Sequence, residues 1–218
     1  MIVGLLGELT VLRHLVVANS SNAFSTMRTL DYWQGWQEEG GGRDFRIGRH
    51  SIEVKTTRAS SSIHKFSGLH QVEPVLLPSG EMEQLNLMSI GLSASTSLGE
   101  TLPQIINDIL SSFTRSNAAE EVSDEFLRRV SLYGQSGRGY VHAAMQDWSV
   151  YGVRFAHTFQ PRLYRVEDPA LHLLTRDILS DTFVQADDLS FTMHIPQQVS
   201  AFNPAPSWED ELGNMQGE

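Results

Sequence analysis

The stretch RDFRIGRHSIEVKTT, residues 43–57, constrains the fold more than any other part of the chain. Phe45 and Ile47 alternate with Asp44 and Arg46. Beyond a turn at Gly48 and Arg49, Ile52 and Val54 alternate with Glu53 and Lys55. Strand side chains point to opposite faces in turn. The spacing therefore predicts a β-hairpin with one apolar and one charged face. If its strands pair, Asp44, Glu53 and Lys55 converge on one side, backed by apolar residues.

Two nearby carboxylates repel each other unless a cation sits between them. Hard oxygen ligands with open positions suit Mg²⁺ or Mn²⁺. Such an ion binds a phosphate oxygen and acidifies a water. Lys55 would orient or help deprotonate that water, or offset charge in the transition state.

An amphipathic helix is expected before the hairpin, because Leu5, Leu9, Leu12 and Val16 follow helical spacing up to about Asn19. Gly4 and Gly7 lower its propensity but allow close packing. Glu8 lies among Gly4, Leu5, Val11 and Leu12, where a carboxylate needs water, a partner or a metal. It pairs with Arg13, is solvated, or is aimed at the same ion as the hairpin carboxylates.

Residues 19–29 read as a polar connection, and Gly40 to Gly42 as a break. Residues 85–95 read as a strand and residues 102–113 as a helix with Pro103 near its start. Ser123 is the expected N-cap of a helix ending at Gly134. Residues 151–168 look extended, interrupted by Pro161. Residues 169–179 read as a short helix and residues 189–196 as a last strand. A mobile acidic tail is expected from Asn203 onward.

The net charge of −10 argues against broad phosphate binding, but Arg43, Arg46, Arg49, Lys55, Arg58 and Lys65 face only Asp44 and Glu53 across residues 43–65. A basic patch on an acidic body is expected. No cysteine is present, which excludes disulfides and thiolate-bound zinc and fits a reducing cytoplasm. Residues 1–17 contain Glu8, Arg13 and His14 and suit neither a signal peptide nor a membrane span.

The eight histidines show no H-E-x-x-H spacing, and no G-x-S-x-G occurs. GQSGRGY reads as a turn, His64 as a loop histidine and Gln71 as a hydrogen-bonding side chain. Trp33 and Trp36 either pack in a core or stack on a base.

An acidic helix residue, then D, then E-x-K on the next strand resembles the PD-(D/E)XK nuclease superfamily. Here these are Glu8 in GLLGEL, Asp44 in GGRDF and Glu53 to Lys55 in IEVKTT. Together with W-x-G-W, HKFSGLHQ, RGY (Arg138 to Tyr140) and FQPRLY, they look like a bacterial branch found near phage-defence genes. The likeness spans residues 3–195, with its specific part in residues 8–71.

The resemblance implies a restriction-endonuclease-like α/β core in αβββαβ order, a central mixed sheet flanked by helices, with an α+β C-terminal extension. It implies Asp44, Glu53 and the Val54 carbonyl as metal ligands, Glu8 as an accessory ligand, Lys55 as the catalytic lysine and Gln71 at the site's edge. The core is expected in residues 1–100, a helical and β part in residues 101–202, and the tail in residues 203–218. The implied activity is a cytoplasmic, Mg²⁺- or Mn²⁺-dependent DNA endonuclease of anti-phage defence, as a homodimer or a subunit of a larger defence complex. The other expectation is a non-cleaving structural or DNA-binding subunit that keeps the fold. Arg43 stands where the superfamily's proline precedes the aspartate. Similar chains carry a β-rich region before GLLGEL, so a short form or one part of a larger assembly is expected.

Overall fold

A computed structural model describes residues 2–19, 23–37, 42–117, 120–133, 139–186 and 189–217. Its helices are α1 (Ile2–Ala18), α2 (Ala23–Tyr32), α3 (Leu102–Arg115), α4 (Glu120–Leu132), α5 (His142–Met145), α6 (Arg176–Leu179) and α7 (Trp208–Gly217). Its strands are β1 (Phe45–Ile47), β2 (His50–Thr57), β3 (Ile63–Ser67), β4 (Gln84–Ser95), β5 (Arg154–His157), β6 (Arg162–Arg165) and β7 (Ser190–His194). Two units form, each from two stretches: residues 1–45 with 92–157, and residues 46–91 with 158–218.

The first unit is mainly helical. Leu5, Leu6, Leu9, Val11, Leu12, Leu15 and Val16 of α1 are all buried, so α1 is a core helix rather than a one-striped surface helix. It packs on α2 and α3. The Thr101 side chain and Gln104 close a capping box at the start of α3, whose Ile105, Ile106, Ile109 and Phe113 are buried. In α4, Val122, Phe126 and Val130 recur at helical spacing and face inward. Phe126 meets Phe113 edge-on, with ring centroids 5.6 Å apart, and lies 6.3 Å from Trp33. The end of β4 pairs antiparallel with β5, Leu92 opposite His157.

In the second unit, β2 and β4 run parallel, with Glu53 beside Leu87 and Lys55 beside Ser89. Strand β6 runs antiparallel to β4, with Leu87 beside Tyr164 and Ser89 beside Arg162. The pairing is therefore mixed. The third strand in sequence, β3, joins β7 in a separate antiparallel pair, and β4 takes the place beside β2. Phe66, Val72, Leu85, Leu87, Tyr164 and Ile195 form this unit's apolar core.

The hairpin, α1, α3 and the strands at β4 to β7 lie where the periodicity places them. Four elements differ. Helix α2 occupies the expected polar connection; its buried Thr26 and Thr29 carry no apolar signal, and Thr26 bonds to Ser116 at 2.9 Å. Ser123 lies inside α4 rather than capping it. Residues 169–179 form a short 3-10 helix (Pro169–Leu171) and α6, parted by left-handed His172. Residues 208–217 of the expected mobile tail form α7, anchored by buried Leu212 and Met215. Gly40, Gly41, Gly134, Gly137 and Arg138 lie outside the described residues. Among the described residues, no helix is long and apolar enough to cross a membrane.

Candidate active site

Glu8 sits mid-way along α1 and is 4% exposed. Gly4, one turn earlier, opens a notch beside it: a Cβ there would lie 2.9 Å from the Tyr133 hydroxyl. Through that notch Tyr133 donates to Glu8 Oε1 at 2.6 Å. The Trp33 indole N–H donates to Oε2 at 2.7 Å. Hydrogen bonds to a charged group contribute about 1.5–3 kcal/mol each, so a buried carboxylate is held here by neutral donors. Arg13 instead binds Glu100 at 2.6 Å and Asp108 at 3.0 Å.

Asp44 precedes β1. Its backbone carbonyl accepts from Gln34 N–H at 2.8 Å and Gly35 N–H at 3.2 Å, and Trp33 bridges antiparallel to Phe45. These bonds hold the two segments side by side. A Cβ at Gly35 would lie 2.1 Å from Glu8 Oε2 and 3.0 Å from Asp44 Oδ1. Two carboxylates thus share the space that the missing side chain leaves. Their mutual repulsion and hard oxygens suit a small divalent ion.

Glu53 and Lys55 lie two residues apart on β2, on one face of the strand. Glu53 is 4% exposed. The Lys55 ammonium lies 2.8 Å from Glu53 Oε1 and 5.3 Å from the Phe66 ring centroid. The pair is neutral as a unit. Val54, whose side chain takes the opposite face, is level with Met88 of β4.

His64 is a buried strand residue of β3, not a loop histidine. Its Nε2 lies 2.7 Å from Ser89 Oγ, which in turn donates to Ser62 Oγ at 2.8 Å. Burial, helped by the Lys55 charge and partly offset by the Thr56 backbone, pushes its pKa down to about 4. His64 is therefore neutral at pH 7. The i, i+2, i+4 spacing of Ser62, His64 and Phe66 is the signal that places it inward.

The Gln71 side-chain carbonyl accepts from the Ser67 backbone at 2.9 Å, a local brace. Trp33 is fully buried, and Trp36 packs against Arg128 and Arg129 at 4.9 and 5.4 Å. Core packing and anchoring therefore account for both. The expected basic patch is partly consumed: Arg43 is buried, Arg46 reaches Glu83 and Lys55 reaches Glu53. The structure thus brings Glu8 to Asp44 and Glu53 to Lys55. Among the described residues, no three His, Cys, Asp or Glu side chains gather closely enough to hold a metal. Sequence reasoning missed Tyr133, the Trp33 donor and the empty side of Gly35; only Gly35, between two tryptophans, left a local trace.

A family model described as "Putative PD-(D/E)XK family member, (DUF4420)" matches residues 2–167. No curated protein and no solved structure matches the chain. The mixed α/β architecture is consistent with a restriction-endonuclease-like fold.

Proposed function

The chain belongs to this PD-(D/E)XK family, and we propose that it is a metal-dependent endonuclease that hydrolyses phosphodiester bonds of DNA. Membership points to nuclease activity, and such nucleases generally use divalent metals. The observation that carries the reading is the buried Glu53–Lys55 pair, 2.8 Å apart on a strand inside the matched region.

The residue roles follow the family pattern. By that pattern Asp44, Glu53 and the Val54 carbonyl would hold the ion, and Glu8 would assist. The hard oxygens of Glu8 and Asp44 beside Gly35 fit such an ion. When bound, Mg²⁺ or Mn²⁺ supplies charge neutralisation at the scissile phosphate and a more acidic water. With an ion held there, Glu53 would no longer need its ammonium partner, and Lys55 would be free to hold a proton or offset charge at the reacting oxygens. Tyr133 and Trp33 hold the Glu8 carboxylate in place. Gln71 stands at the site's edge, its carbonyl committed to Ser67.

Cutting both strands needs two sites, so the working form is a homodimer or a subunit of a larger complex, in bacterial anti-phage defence. A monomer by light scattering that makes full double-strand breaks contradicts that part. The net charge of −10 and the internal pairing of Arg46 and Lys55 favour a second reading, a non-cleaving DNA-binding or structural subunit. Supercoiled plasmid and linear single-stranded DNA, incubated with Mg²⁺, Mn²⁺ or EDTA, separate the two. Nicking with metal alone is the expected result. Intact DNA under every condition contradicts nuclease activity and leaves the second reading.

A further inference from the structure

Five arginines of the second unit, Arg49 aside, fall into two groups. Arg46, Arg165 and Arg176 reach the carboxylates of Glu83, Glu211 and Glu73. Arg58 and Arg162 have no carboxylate partner among the described residues.

Both unpaired arginines border one loop, residues 58–62, with its run of three serines. Ala59 in that loop accepts a hydrogen bond from Thr158 Oγ1 at 2.6 Å, which ties the loop to the segment leading into β6. Arg162, in the FQPRLY stretch, donates to Ser62 Oγ at 3.1 Å and stacks on Phe159 with 4.6 Å to the ring centroid. These contacts fix the guanidinium without neutralising it. Ser89 is in register with Lys55 on one side and Arg162 on the other. Lys55 and Arg162 therefore project from the same sheet face, two strand spacings or about 10 Å apart. Arg58 is exposed three residues after Lys55.

We propose that Arg58 and Arg162, on either side of the serine loop, bind backbone phosphates of the DNA strand that flank the phosphate taken by Glu53 and Lys55. Planar guanidinium groups suit phosphate oxygens, and serine hydroxyls and loop N–H groups add donors. The assignment rests on the nuclease reading for its substrate. The two arginines position the strand and take no part in bond cleavage.

Duplex binding in EDTA, read by fluorescence anisotropy across a salt series, tests this. Each lost phosphate contact reduces the slope of log affinity against log salt by about 0.9 and weakens binding about tenfold near physiological salt. Arg58→Ala and Arg162→Ala are expected to show that loss, while Arg115→Ala, a surface change of equal charge elsewhere, is not. Arg162→Gln keeps a donor for Ser62 without the charge. A reduced slope at an unchanged melting temperature separates phosphate binding from a structural role. Slopes equal to the Arg115→Ala control in all three variants overturn the inference and leave the nuclease reading intact. Wild-type protein that binds DNA through these arginines but cuts nothing in Mg²⁺ overturns the nuclease reading alone. Wild-type protein that binds no DNA overturns both.

Discussion

Glu8 and Glu53 are buried to the same extent, 4% exposed each, yet their surroundings solve the same problem in opposite ways. Glu8 receives two neutral donors, the Tyr133 hydroxyl and the Trp33 indole. A second carboxylate, Asp44, faces the same space beside Gly35. Glu53 receives a cation, Lys55, and carries no net charge with it. The first arrangement gathers carboxylate oxygens in one place, which suits a small cation. The second already holds a cation, which would have to give way to a metal. Burial alone therefore does not mark a metal ligand; the charge of its neighbours decides how strongly it attracts one.

The largest expected effect breaks the Glu53 side. Lys55→Ala lowers cleavage by about a thousandfold but leaves Glu53 without its cation. Mn²⁺ then raises the melting temperature more than in wild type, because the ion relieves a buried, unpaired carboxylate. Equal thermal shifts in both proteins would contradict the exchange of partners.

His64 sharpens the same side through pH. Its folded pKa is about 4 against 6.5 for the free group, so the unfolded chain takes up the proton first. Its contribution to stability is complete above pH 6.5 and falls as pH drops from 6.5 to 4, by about 3 kcal/mol in all. Denaturant unfolding of His64→Gln is expected to lack that part of the wild-type pH dependence. Parallel pH profiles would remove the buried neutral histidine from the account.

On the Glu8 side, Gly35→Ala inserts a methyl where two carboxylates meet and is expected to cost about a hundredfold in cleavage rate by displacing them. Unchanged activity would mean that the space beside Gly35 is not used. Tyr133→Phe is the smallest change, removing one donor from Glu8. A loss of about 2 kcal/mol in folding stability is expected by denaturant titration, and no loss would show that the hydroxyl bond is not made in solution.

The hairpin was legible because a period of two with one charged face has few other solutions, and helix α1 because its apolar residues are dense. Helix α2 was not, since two of its three buried residues are threonines and Leu30 alone makes no helical apolar pattern. The tail helix α7 hides its two anchors, Leu212 and Met215, among acidic residues. Half of the candidate site was legible as well: E-x-K is local, and alternation alone puts both groups on one face. Glu8's environment was not, because Tyr133 lies 125 residues away and the Gly4 notch acquires meaning only once that tyrosine arrives. His64 was misplaced for a similar reason, as β3 pairs with distant β7.

The most direct test of the central claim is a calorimetric Mn²⁺ titration of wild type beside Glu53→Ala, both checked for folding by circular dichroism. One saturable site in wild type, lost or greatly weakened in Glu53→Ala, is the expected result. Identical binding by the two folded proteins, or no binding by either, would contradict the assignment of Glu53 to a catalytic metal.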